Sequence, residues 1–425
     1  VRPVRREQLP GDARTPRNLQ VGAVVATIRE ASGVAESEKA LQQLHLWFEF
    51  GYGHADVVDP SNVDHPGSRQ ALRLGLSTIG AGGLRPSVPA RPRYDAAMEA
   101  TTNAAARQVV LIRNPAARRP PSDAELEAPL EALRRAGWDV SVQETRGPGD
   151  GAVLAADAAA AGASVVVACG GDGTLNEVLS GVAETETALA VLPAGTANVW
   201  AHEIGVGDDA GAALGLVEAG RRVRVDTGMV QLGYEPPRRF LLMCSVGLDA
   251  AVVQGMEGRS SLKRRFGRAA FAWPAARALV AARAVPTTIV VGDTQRRGPL
   301  TMAVIGNSRL YGGVTKITDG AVLDDGLLDL VTFSGQPAAS LERRVVERLV
   351  QLSWAASGSL SRQRHKSVHY LKAAAFELRP EAPLPVQIDG EFAGEAGPDA
   401  SLRLWAHPGS VTVVVPAGRN PLFSN

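Results

Sequence analysis

The feature that most constrains the fold is ACGGDGTLNEVL at residues 168–179, where a glycine-rich bend joins a strand-like run to a helix-like run. The run before it, residues 164–169, is largely β-branched, as in a strand buried on both faces of a parallel sheet. Helical spacing begins at Leu175, so the bend opens a helix. Free amide groups and the positive end of the helix dipole there favour an anion such as phosphate. A plain strand-to-helix turn without a ligand is the alternative.

Strands and helices alternate on both sides of this bend. Strands are predicted at 109–112, 139–145, 164–169 and 188–192, and the first helix is predicted to stop at Gly137. This alternation indicates an α/β domain with a parallel, doubly wound sheet, whose ligands bind beyond the carboxyl ends of the strands. We expect the segments at those ends to share one crevice: Asn114, Thr145, 170–174 and 193–198.

After about residue 233 the pattern becomes rich in strands. They are predicted at 240–245, 288–291, 300–305, 327–333, 368–378, 386–388 and 402–415, with helices near 262–283 and 339–355. This indicates a second, mainly antiparallel β-sandwich domain. The first hundred or so residues are rich in Gly, Pro and Arg and show no sustained period, which predicts linker or disorder. We therefore divide the chain into 1–105, 106–233 and 234–418.

Composition excludes some function classes. With 45 Lys and Arg against 44 Asp and Glu, the chain has no general electrostatic footprint for nucleic acid. Its two cysteines lie far apart, which indicates neither a disulfide framework nor a zinc site and favours a reducing compartment. No apolar stretch reaches the roughly 18 residues of a membrane span, and the N-terminus lacks a signal-peptide layout. A cytoplasmic location is expected.

The chain lacks the usual lysine-bearing phosphate loop, GxxxxGK[ST], and has no GxGxxG at its first strand-to-helix turn. A phosphate site here must therefore use backbone amides, the hydroxyls of Thr174 and Thr196, and a metal held by Asp172. Phosphoryl transfer mainly needs positioning and charge neutralisation, which such a crevice can supply. It also needs a base for the acceptor hydroxyl.

Five motifs together resemble the diacylglycerol kinase catalytic-domain family of lipid kinases, which includes bacterial diacylglycerol kinase and sphingosine kinase. They occur in the family's order and spacing over about residues 107–416: GGDGTLNEV (170–178), LPAGTANVWA (192–201), SVGLDAAV (245–252), NSRLYGGV through LDDGLLDL (307–330) and IDGE (388–391). The resemblance implies an α/β domain like that of NAD kinases, ATP and Mg²⁺ as cofactors, and a lipid alcohol as substrate, with diacylglycerol as the first candidate.

The resemblance also implies residue roles. The ATP site it implies comprises Gly170, Gly171, Asp172, Gly173, Thr174, Gly195 and Thr196, with Asn114 and Thr145 as further contacts and Glu177 as the acid that supports the loop. Asp325 resembles the ligand of a structural magnesium ion, with Asp324 or Asp319 nearby. Asp389 resembles the base that accepts the lipid hydroxyl proton, and Glu391 its orienting partner. Asp226 matches a family acid near the cleft.

The chain departs from the family pattern at two places, and several assignments have a plainer alternative. Val199 stands where the family often has Asp after the second glycine loop, and Asn114 precedes PAARR rather than Ser-Gly. The pairs that begin at Asp325 and Asp389 are also ordinary Asp-Gly turns. Glu177 also suits the first turn of any helix.

A lipid substrate requires contact with a membrane surface. Residues 261–283, SLKRRFGRAAFAWPAARALVAAR, combine basic and apolar side chains, which suits an interfacial helix that associates peripherally with an anionic membrane. An ordinary amphipathic helix is the equal alternative. Two other functions stay open: phosphorylation of a soluble hydroxyl, as in NAD kinase, and a nucleotide- or lipid-binding regulator without turnover. A homodimer also stays open.

Overall fold

The computed structural model describes residues 107–256, 272–311, 315–335 and 366–424, together with Val345, Glu347, Arg348 and Gln351. The segment 1–105 lies outside these residues, as do the basic part of the 261–283 segment and most of the helix predicted at 339–355.

The N-terminal part of the described chain alternates strands and helices as the sequence predicts. Its elements are β1 (Gln108–Arg113), α1 (Asp123–Arg135), β2 (Asp139–Glu144), α2 (Asp150–Ala160), β3 (Val165–Gly170), α3 (Asp172–Val182), β4 (Ala188–Pro193), α4 (Val199–Ile204) and α5 (Ala210–Ala219). The strands pair in parallel in the order β4-β3-β1-β2. Every residue of β3 and β4 is buried, which explains their unbroken apolar character. The predicted parallel α/β architecture is confirmed.

The rest of the described chain is mainly antiparallel. Its elements are β5 (Arg221–Leu232), β6 (Arg238–Phe240), β7 (Met243–Gly247), α6 (Leu248–Gln254), α7 (Ala272–Ala281), β8 (Val285–Val291), β9 (Thr294–Gly306), β10 (Leu310–Tyr311), β11 (Thr315–Lys316), β12 (Leu328–Ser334), β13 (Val368–Ala373), β14 (Ala375–Pro380), β15 (Leu384–Ile388), β16 (Glu391–Ala396) and β17 (Leu402–Val415). They enclose a second hydrophobic core that includes Val230, Phe240, Ile305, Phe376 and Leu404. The predicted second, strand-rich domain is confirmed.

The parallel strands and most of the antiparallel strands belong to one sheet, and the last strand, β17, connects them. Its residues Thr412 and Val413 pair in parallel with β4, while β5 and β14 pair with it antiparallel. The register slips between His407 and Val411, so a bulge lies where the strand passes from one set of partners to the other. β5 precedes the expected boundary at 233, yet its partners β17 and β6 are both antiparallel.

The prediction of one continuous strand at 368–378 is wrong, because the structure has two strands there. The chain breaks at Ala374 into β13 and β14, which join different neighbours: β13 pairs with β12, and β14 with β8 and β17. The carbonyl of Ala374 accepts the Ala406 amide at 2.8 Å, so the break is tied to β17.

Candidate active site

The two glycine loops touch each other because they follow neighbouring parallel strands. The Ala194 amide donates to the Gly170 carbonyl at 2.8 Å, which extends the β3–β4 pairing into the loops. A Cβ placed on Gly195 would lie 2.5 Å from the Gly171 Cα, so no larger residue fits without moving a loop. This contact brings residues 170–174 and 193–198 together, as the sequence predicts.

Asn114 fixes the start of α3 from the end of β1. Its side-chain amide donates to Thr174 Oγ1 at 2.8 Å, and its Oδ1 accepts the Ala116 amide at 2.9 Å. Thr174 is buried in the first turn of α3. Asn114 therefore lies at the glycine loop as expected, and its polar side-chain atoms are engaged in orienting that loop.

Asp172 and Asn198 connect the first glycine loop to α4. Asp172 Oδ1 accepts the Trp200 amide at 3.3 Å, and Asn198 Oδ1 accepts the Gly195 amide at 2.8 Å. Asn198 adopts left-handed backbone with φ of 46°, a conformation that Asn tolerates better than most residues. Thr196 is half-buried in the same loop. The Asp172 carboxylate thus ties the first glycine loop to the start of α4 through one of its oxygens.

Glu177 supports a different loop from the one expected. Its Oε1 accepts the Gly149 amide at 2.9 Å and its Oε2 accepts the Gly151 amide at 3.1 Å. These amides begin α2, directly after the loop that contains the buried Thr145. Glu177 therefore ties α3 to the Thr145 loop. The loop that follows β2 is thereby held next to the glycine loop that follows β3.

The IDGE segment forms a tight turn between β15 and β16. Asp389 and Gly390 have φ values of 47° and 85°. The Asp389 carboxylate accepts three backbone amides, with Leu241 N on Oδ2 at 2.8 Å and Leu242 N and Met243 N on Oδ1 at 3.0 and 2.8 Å. Burial nevertheless raises the pKa of Asp389 to about 7, and the charge of Asp172 adds to the rise. Asp389 is thus anchored and holds a pKa that suits a base near neutral pH.

Glu391 brings the IDGE turn to the first glycine loop. Its side chain is exposed, and its Oε1 lies 3.2 Å from the position that a Cβ on Gly173 would occupy. Gly171 is therefore in contact with Gly195, and Gly173, two residues later in the same loop, lies beside Glu391. The structure brings together the two glycine loops and the carboxylates of the second domain.

Asp226 is anchored by two backbone amides. It is buried, and its carboxylate accepts the Gly326 amide at 2.6 Å and the Gly409 amide at 2.7 Å. Burial raises its pKa to about 6. These contacts place Asp226 between the LDDG loop (residues 323–326) and the β17 bulge, and none of its hydrogen bonds reaches the glycine loops.

Asp325 has an ammonium group where a structural metal ion was expected. Its Oδ2 accepts Lys372 Nζ at 2.8 Å and its Oδ1 accepts the Leu327 amide at 3.0 Å. Asp324 Oδ1 accepts the Ser424 amide. In the described part of the chain, no three acidic, His or Cys side chains converge as a metal cluster. Because an ammonium group already neutralises Asp325 and no cluster of acidic ligands converges on it among the described residues, these residues do not fit a structural magnesium ion as they are arranged.

Sequence reasoning missed a polar network behind the IDGE turn. Gln387 Oε1 accepts the Gly390 amide at 2.7 Å, while its Nε2 donates to Ser245 Oγ at 2.9 Å and to Asp249 Oδ2 at 3.1 Å. Asp249 also accepts hydroxyl hydrogens from Ser245 and Tyr311. Burial raises the pKa of Asp249. Gln387 precedes IDGE by one residue and Asp249 lies in SVGLDAAV, so their positions in the motifs were the available signal.

The described residues include no helix with the length and apolar character that crossing a bilayer requires. The described part of the 261–283 segment is α7, Ala272–Ala281.

A parallel sheet with two apposed glycine loops, faced by carboxylates from an antiparallel domain, defines a two-domain phosphotransferase. The diacylglycerol kinase catalytic domain matches residues 108–230, and the YegS C-terminal NAD kinase beta sandwich-like domain matches residues 243–415. The chain belongs to this family of lipid kinases.

Individual relatives agree with that assignment. A "Probable lipid kinase YegS-like" of Pseudomonas savastanoi pv. phaseolicola is 32% identical over 294 residues, which cover 68% of this chain and 88% of the relative. A "Diacylglycerol kinase" of Staphylococcus saprophyticus is 28% identical and covers 65% and 86%. The crystal structure of a diacylglycerol kinase from Bacillus anthracis superposes with a TM-score of 0.54 at 18% identity, covering 73% of this chain and 97% of that one, which shows the shared fold.

Proposed function

We propose that the protein transfers the γ-phosphate of ATP to the hydroxyl of a lipid alcohol, and that diacylglycerol is its first candidate substrate. The observation that carries the proposal is that the first glycine loop contacts Gly195 on one side and lies beside Glu391 on the other, which places both glycine loops next to an acidic turn. The names of the relatives, lipid kinase and diacylglycerol kinase, support the substrate class. On this proposal residues 106–233 bind the nucleotide and residues 234–418 bind the lipid.

The nucleotide part of the proposal relies on backbone rather than on a lysine. Amides at the start of α3 and in the 193–198 loop would hold the phosphates, with the hydroxyl of Thr196 beside them. Mg²⁺, when bound with ATP, neutralises phosphate charge. Asp172 is the residue we expect to hold it, since Trp200 engages only one of its oxygens. Thr174 and Asn114 orient the loop, as their mutual hydrogen bond indicates.

We assign the general base and the residue that orients the acceptor to the IDGE turn. We assign proton acceptance to Asp389, whose raised pKa of about 7 suits a general base. Two of its amide contacts fall on Oδ1 and one on Oδ2, so Oδ2 keeps a lone pair for the acceptor hydroxyl. Glu391, exposed beside Gly173, would orient the acceptor and is the freer of the two carboxylates.

The lipid must reach the glycine loops and the IDGE turn from a membrane. We propose peripheral contact through the 261–283 segment, whose basic and apolar residues suit an anionic surface, and a cytoplasmic enzyme that acts there. Homodimer formation stays a prediction.

Transfer of labelled phosphate tests the function directly. The full chain is given ATP labelled at the γ-position, Mg²⁺ and mixed micelles of diacylglycerol, sphingosine or monoacylglycerol. Label in the organic extract supports the proposal, and the lipid that takes it identifies the substrate. Label on NAD instead would favour a soluble acceptor. ATP binding without label on any acceptor would favour a regulator.

A further inference from the structure

We propose that Lys372 serves as a built-in cation for the LDDG loop, taking the place of a divalent metal ion in the second domain. The inference does not depend on the reaction catalysed, because it concerns what holds this loop to the sheet.

Three oxygen atoms from two different segments surround the Lys372 ammonium. Its Nζ donates to Asp325 Oδ2 at 2.8 Å and to the Gly320 carbonyl at 3.0 Å, and lies 3.5 Å from Asp329 Oδ2. The ammonium therefore makes two hydrogen bonds and one ion pair within this set of oxygens. The Lys372 side chain is 29% exposed, while the carboxylate of Asp329 is 1% exposed. The cation therefore neutralises a carboxylate that water hardly reaches.

Strand pairing places Lys372 at this point. Lys372 on β13 is the register partner of Asp329 on β12, so the two side chains are held opposite each other by the sheet itself. Tyr370, two residues earlier on the same face of β13, donates its hydroxyl to Asp329 Oδ1 and accepts the Gly320 amide at 3.1 Å. Residues 319–329 are thus tied to β13 by side chains of one face.

Two other acids around the loop already have their own donors. Asp226 accepts two backbone amides, and Asp324 accepts the Ser424 amide. Magnesium prefers octahedral oxygen ligands at about 2.0–2.1 Å and keeps several waters. To bind it, Asp325 would have to release Lys372, and the ammonium would then stand next to the metal ion. The two cations compete for one place.

The test compares the Tm of the nucleotide-free protein in EDTA and in millimolar Mg²⁺. Lys372→Met keeps the aliphatic stem and removes the charge, and Lys316→Met, at an exposed lysine of β11, is the matched control. We expect the wild type and Lys316→Met to melt alike in both buffers. We expect Lys372→Met to melt several degrees lower in EDTA and to recover part of that loss in Mg²⁺, because two acidic side chains are then left without their cation.

Four results would overturn the proposal. They are a wild type that loses stability in EDTA, a Lys372→Met protein that melts with the wild type, a loss that Mg²⁺ does not reverse, and an equal Mg²⁺ response in Lys316→Met and Lys372→Met. If Lys372→Met does not fold, Lys372→Arg keeps the charge and should fold without metal, and a metal requirement in that variant or in the wild type would refute the inference.

Discussion

Replacing Gly195 by alanine tests whether the two glycine loops bind one nucleotide. The new Cβ would lie 2.5 Å from the Gly171 Cα and 2.7 Å from Asn198 Oδ1. Carbon atoms in contact normally stand about 3.5–4.0 Å apart, so the loops must separate by about 1 Å. Backbone atoms form one side of this contact, so a side-chain rotation cannot relieve it.

The cost follows from that separation. Overpacking of this kind typically costs about 1–3 kcal/mol. In the variant the loops can relieve this strain by separating, but a nucleotide bound by both loops would draw them together again and bring the strain back. If all of it appears in binding, the Kd for ATP rises by about 5- to 150-fold. A shift of about 1 Å in the phosphate position can also lower the rate of transfer by about 100-fold.

Isothermal titration with a non-hydrolysable ATP analogue measures the effect. Gly215→Ala is the matched control, because Gly215 lies in α5 and a Cβ there meets nothing within 4 Å. The control should bind ATP like the wild type and gain about 0.5–1 kcal/mol of stability from its better helix propensity. If Gly195→Ala bound the analogue as tightly as the control, the two loops would not bind the same nucleotide, and the proposed nucleotide site would be refuted.

Four further predictions concern the acidic residues. Glu391→Gln should lower kcat at least tenfold with Tm unchanged, since the side chain is exposed. Asp389→Asn should lower both kcat and Tm, because an amide NH₂ would face backbone donors and leave one buried amide unpaired, at a cost of about 1–3 kcal/mol. If Asp389→Asn and Glu391→Gln had equal Tm values, the result would contradict these contacts. kcat/KM should rise with pH and reach half its plateau near the Asp389 pKa of about 7, because only the ionised carboxylate accepts a proton, whereas a profile flat from pH 5 to 8 would remove Asp389 from the base role. Glu177→Gln should weaken nucleotide binding and lower the free energy of unfolding by about 1–3 kcal/mol, because one of its two amide contacts is lost, and an unchanged denaturant midpoint would argue against it.

Local patterns were enough to predict the strand, bend and helix around the first glycine loop. The buried β-branched run before Gly170 and the helical spacing after Leu175 specify strand, bend and helix without information from elsewhere in the chain. The contact between Gly171 and Gly195 then follows from the adjacency of β3 and β4, which the alternation of strands and helices implies.

Contacts between distant segments were beyond sequence reasoning. The three amides on Asp389 come from residues about 147 positions earlier, and the Lys372–Asp329 pair depends on which strand lies beside β12. The two amides that Asp226 accepts, from Gly326 and Gly409, likewise come from a hundred residues or more away in sequence. The break at Ala374 was missed because the apolar pattern of 368–378 does not reveal a change of partner strand.

The most direct test of the central claim is transfer of γ-labelled phosphate from ATP into the organic extract by the wild type and by Glu391→Gln, at equal protein and with ATP binding measured in the same samples. We expect the wild type to label a lipid alcohol in the presence of Mg²⁺, and the variant to bind ATP equally while labelling it at least tenfold more slowly. Equal rates in the two proteins would remove Glu391 from the reaction, and no labelled lipid from a wild type that binds ATP would contradict the assignment as a lipid kinase.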